Sequence, residues 1–73
     1  MAANIDAAAA ERVEAVLSLV ATRADPRERA HLEELSRAYL AGLDAEDVIE
    51  RDALDLYGAI RSLWQVAATR APG

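Results

Sequence analysis

The chain contains no cysteine, no lysine and no phenylalanine. Without cysteine there is neither a disulfide framework nor a thiolate metal site, and the redox compartment is left open. All eight basic residues are arginines, scattered from Arg12 to Arg70 and outnumbered by thirteen acids, for a formal net charge of −5. Nucleic-acid binding draws on clustered basic side chains that displace counterions from phosphates. Neither a nucleic acid nor an anionic membrane is therefore an expected partner. Glycine is scarce, and the residues at 42, 58 and 73 are isolated, so no glycine-rich phosphate loop exists. Long apolar runs are missing as well. The alanines at 7–10 are cut off by Glu11 and Arg12, too short and too charged a stretch for a signal peptide or a spanning helix. A soluble, cytoplasmic protein is expected.

What is present is helical periodicity. Ile5, Ala9, Val13, Val16 and Val20 recur at spacings of four and three, widened by Leu17 and Ala24. That is an amphipathic helix over about residues 5–24, with Asn4 or Asp6 as acceptors for its first free amides. Asp25-Pro26-Arg27-Glu28 then places a capping carboxylate before proline at the first helical position, with a glutamate three residues after the cap. This capping-box spacing predicts a second helix over 26–41, with Leu32, Leu35, Tyr39 and Leu43 inward and Gly42 as its stop. Asp44 caps a short helix over 45–50, whose early acids suit its positive end. Asp52 caps a last helix over 53–70, with Leu56, Tyr57, Ile60, Leu63, Trp64 and Ala67 as its buried stripe and Pro72-Gly73 as its end. The short connections turn successive helices back on each other. The fold class is all-α, a small antiparallel helical bundle of three long helices plus one short one.

A chain of 73 residues is one small domain and buries a smaller share of its surface than a larger domain does. Marginal stability is expected, with a partner surface as supplement. Tyr39, Tyr57, Gly58, Ile60 and Trp64 are the structural or interface anchors. Trp64 brings the largest apolar area and one N–H to satisfy, and Tyr57, seven residues earlier, shares its face. Gly58 inside a helix costs about 1 kcal/mol relative to alanine, which close approach of another helix would explain. On that reading Gly58→Leu should lower the melting temperature well beyond Gly58→Ala.

Catalytic chemistry finds little support. His31 is the single histidine, with no second histidine or cysteine at metal-ligand spacing. The acidic stretch 44–52 fails as a calcium loop, because its fifth and sixth positions are Val48 and Ile49 where an oxygen ligand and glycine are needed. Ser18, Ser36 and Ser62 lie inside helical runs with no elbow motif. No catalytic, cofactor-binding or metal residue is assigned.

One stretch resembles a known family. Asp44-Ala45-Glu46-Asp47-Val48-Ile49-Glu50-Arg51-Asp52-Ala53-Leu54-Asp55-Leu56-Tyr57-Gly58-Ala59, followed by Ser62-Leu63-Trp64-Gln65-Val66-Ala67 and Arg70-Ala71-Pro72-Gly73, resembles the helical segment near the N-terminus of the large bacterial NAD-specific glutamate dehydrogenases. Leu35-Ser36-Arg37-Ala38-Tyr39-Leu40 fits more loosely, and residues 1–30 match only as a helical leader. Family members often carry proline at the position of Ala53 and histidine at that of Leu63; both residues here suit a helix. The resemblance implies a much longer parent chain that continues into ACT-like modules and a catalytic region. That parent would oxidise L-glutamate with NAD, while this fragment holds no cofactor and docks on the rest of the chain or on neighbouring subunits. The competing expectation is a free-standing helical interaction module, antitoxin-like or a docking homodimer that associates with itself.

Overall fold

The computed structural model describes residues 5–70, and the candidate cap Asn4 and the terminal Pro72-Gly73 lie outside them. Four helices make up the fold: α1 (Ile5–Arg23), α2 (Pro26–Ala41), α3 (Ala45–Glu50) and α4 (Ala53–Arg70), with no strand among the described residues. Their limits follow local chemistry. Between α1 and α2, Asp25 leaves the helical conformation and its carboxylate accepts the Arg27 N–H at 2.9 Å, while its carbonyl accepts the amides of Glu28 and Arg29. Pro26 opens α2 without wasting an amide, since the first amides of a helix have no partner inside it. α1 stops one residue short of the expected limit, and Ala24, just past its end, is buried at 5% exposure.

Gly42 ends α2 by a different route from the usual glycine stop. Its φ of −82° is ordinary right-handed backbone, and its N–H is shared between the Ala38 and Tyr39 carbonyls at 3.2 Å each. An added Cβ would meet nothing nearer than 3.5 Å, so the stop does not need glycine. Asp44 stands at the cap of α3 in extended conformation, but its side chain makes no capping hydrogen bond; its carbonyl accepts the Val48 amide at 3.1 Å. At the head of α4 the Asp52 carbonyl does the same for Leu56 at 3.1 Å.

The core draws on every helix: Val16, Val20 and Ala24 from the α1 side, Leu32 and Leu40 from α2, Val48 from α3, and Leu56, Tyr57 and Ile60 from α4. Burying each large aliphatic side chain stabilises by about 1.5–3 kcal/mol. Ile5, Ala9, Val13 and Leu17 are half-buried, so α1 is sealed chiefly along its second half.

Two stripes differ from the sequence expectation. On α2 the sealed positions are Leu32, Ser36 and Leu40, whereas Leu35, Tyr39 and Leu43 are only half-buried. The helix is rolled about one residue from where its leucines alone would set it. Ser36 permits this because its hydroxyl donates to the Leu32 carbonyl at 2.6 Å, so the buried oxygen is satisfied within its own helix. On α4 the stripe stops early: Leu63 is 44% exposed and Ala67 is exposed, though both were expected inside. α2 has only Pro26 and Arg27 ahead of the Glu28 that Trp64 meets, while α4 runs on past Trp64 with every residue from Gln65 to Arg70 exposed. The long axis of the molecule reaches 53 Å, about twice the length of its 18-residue α4 at 1.5 Å per residue. The helices are staggered, with overhanging ends.

Candidate functional site

The most specific side-chain geometry lies on the α2–α4 seam. Trp64 is half-buried, and its Nε1–H donates to Glu28 Oε2 at 3.1 Å. His31, one turn on from Glu28, stacks on the indole with ring centroids 5.6 Å apart and planes 17° from parallel. Glu28 and His31 are three residues apart and so project from one side of α2. Together they take both the edge and the face of the indole, which fixes its rotamer and ties the start of α2 to the middle of α4. A half-buried tryptophan needs an acceptor for its single donor, and Glu28 supplies it. The capping-box role expected of Glu28 is thus replaced by a tertiary one.

A second tie spans α1 and α3. Arg12 donates through an Nη to the Ile49 carbonyl at 3.1 Å. Ile49 is in the last turn of α3, where carbonyls lack partners inside the helix, so the guanidinium supplies the missing donor and meets the negative end of the helix dipole. Nothing in the local spacing pointed to this contact. The signal for the Trp64–Glu28 bond was present but incomplete: a lone indole N–H requires an acceptor, without indicating which of thirteen carboxylates provides it.

The remaining anchors are dispersed. Ile60 is fully buried and Tyr57 is 9% exposed, whereas Tyr39 is half-buried against the same core. Gly58 is exposed, and a Cβ there would meet no atom within 4 Å. The close helix approach expected at Gly58 is therefore absent, because the residue lies on the outer side of α4, away from Leu56, Tyr57 and Ile60.

Among the described residues the exposed large apolar side chains all lie on α4. Leu63 is 44% and Val66 52% exposed, and Leu54 near the head of the helix is 55% exposed. Shallow open grooves run along this stretch, one lined by Ser62, Gln65, Val66 and Arg70, another by Glu28, Arg61, Trp64 and Thr69. Both are surface furrows without an enclosed chamber. Among the described residues no three His, Asp or Glu side chains converge in a way that would hold a metal ion. No described helix is long and apolar enough to cross a membrane.

A nicotinamide dinucleotide would need a strand-to-helix turn rich in glycine, so that backbone amides reach the pyrophosphate. The described residues contain no strand, and Gly42 and Gly58 sit apart at a helix end and within a helix. These residues do not fit that group.

Residues 35–73 match the family model of the glutamate dehydrogenase ACT1 domain, just over half of the chain. No curated protein and no solved structure matches it. The matched stretch takes in the end of α2, all of α3 and all of α4. The ACT1 region thus reaches into these helices, where the resemblance had placed ACT-like modules only beyond them.

Proposed function

Because the chain belongs to the glutamate dehydrogenase ACT1 family, we propose that it is a non-catalytic helical assembly segment of an NAD-dependent glutamate dehydrogenase. The parent reaction would convert L-glutamate, NAD and water to 2-oxoglutarate, ammonia and NADH in the cytoplasm, with nucleotide and substrate held outside these residues. The observation that carries the reading is the uncovered apolar surface of α4, at Leu63 and Val66, inside the family-matched stretch. Exposed apolar residues close together on one helix face offer surface that a partner could cover.

On this reading the three long helices form an antiparallel bundle that presents the second half of α4 to neighbouring domains or subunits. The bond from Trp64, just past the middle of α4, to Glu28, early in α2, supports opposed directions for those two helices. The alternative is a free-standing helical module that pairs with a second copy, which the same uncovered surface favours.

Sequencing the reading frame beyond codon 73 separates the two. A frame continuing into a dehydrogenase region is expected, and a stop codon at that point would overturn the proposal in favour of the free-standing module. In the full-length enzyme, Val66→Asp should lower the native mass by loss of subunits while leaving the helical content of the chain unchanged. An unaltered assembly would remove the docking role.

A further inference from the structure

We infer that α4 pairs with the α4 of a second copy of this chain, in an antiparallel, two-fold arrangement, along a stripe that runs from Asp55 to Arg70. This deepens the assembly reading and rests on it. Six residues carry the argument: Asp55, Ala59, Ser62, Leu63, Val66 and Arg70. At 100° per residue they fall within one stripe about 100° wide that flanks the buried face of α4. Ala59 is half-buried and the other five are exposed. The stripe has an apolar middle, small side chains beside it, an acid at one end and a base at the other.

That order is its own complement when reversed. All thirteen acids of the chain lie at or before Asp55, and the charged residues of α4 after it are Arg61 and Arg70. With a two-fold axis between positions 62 and 63, Asp55 and Arg70 both lie roughly 11 Å from the axis at 1.5 Å rise per residue. Asp55 of each copy therefore stands level with Arg70 of the other. By the same count Ala59 stands level with Val66, the small residue making room for the larger one, and Leu63 closes the centre. A two-fold interface requires this kind of self-complementary patch. A parallel pair would instead set Asp55 against Asp55 and Arg70 against Arg70. The charge pattern thus selects a second copy, in one orientation.

The test is sedimentation equilibrium at low ionic strength on the whole chain, with circular dichroism to verify folding of each variant. Asp55→Arg and Arg70→Asp should each raise the dimer Kd about tenfold, and the double variant should return it to the wild-type value. The chain has no native cysteine, so Ser62→Cys should form a disulfide dimer on mild oxidation. Glu34→Cys, equally exposed on α2, should not. A chain that stays monomeric at its highest soluble concentration, or a double reversal no tighter than the single ones, overturns the pairing. If Val66→Asp nonetheless disrupts the full-length enzyme, the assembly reading survives without the pairing. If it does not, both fall.

Discussion

Along α4, Leu56, Tyr57 and Ile60 are sealed in the core, while Leu63 and Val66, one to two turns further on, are 44% and 52% exposed. The two halves of the helix are alike in apolar content and helical spacing. They differ in their neighbours. The first half packs against α1 and α2, and the second outruns them once Trp64 has met Glu28 at the head of α2. Helical periodicity reports that a face is suited to burial; what covers it depends on how far the adjacent elements extend. The half left bare is also the half without acids, so the chain's negative charge is concentrated where the core is and thins out along the overhang.

This contrast is open to direct attack. The largest effect should come from Ile60→Ala, which removes a fully buried side chain and should cost about 2–5 kcal/mol. A domain of this length holds only about 4–11 kcal/mol in all, so urea melts followed by circular dichroism should show a large part of the stability gone. Little change there would mean that the first half of α4 is no better anchored than the second. Trp64→Phe probes the boundary between the halves. It keeps a ring against His31 and loses the N–H to Glu28, for an expected cost of about 1 kcal/mol. Combining it with Glu28→Ala, which removes the acceptor, should add less than the sum of the two, and full additivity would indicate that the bond contributes nothing.

Gly58→Ala should raise stability by about 1 kcal/mol, because helix propensity improves and the added Cβ meets open space. Gly58→Leu should also raise the melting temperature, the reverse of what a tight helix crossing would require. The smallest effect is expected for Leu63→Ala in dilute solution, within about 0.5 kcal/mol. A cost near that of Ile60→Ala would show that the overhang is covered even in the single chain.

Local features were well marked in the sequence. Asp25 before Pro26, the isolated Gly42, and the polar breaks at Asp44 and Asp52 delimit four helices, and the observed α2, α3 and α4 begin and end where those signals lie. Ile60, Leu56 and Tyr57 were visible as core because they sit near the middle of a strong stripe. Ser36 was not, since serine carries no apolar signal; it enters the core by bonding its own helix at Leu32. On α2 the apolar spacing favours Leu35 and Tyr39 over Leu40, because a row of leucines and tyrosine admits more than one rolling angle and only the packing partner chooses. The Asp44 side chain shows the converse, a residue at its expected position without its expected bond.

The sequence by itself determined the helices, their lengths and the absence of thiol chemistry, because these follow from contacts within a few residues and from composition. Tertiary structure alone decided which side of α2 faces inward, that Glu28 serves Trp64 instead of its own helix end, that Arg12 reaches the Ile49 carbonyl, and that α4 is half bare. The two bonds join residues 36 and 37 positions apart, and all four outcomes are set by the relative placement of whole helices, which no local spacing encodes.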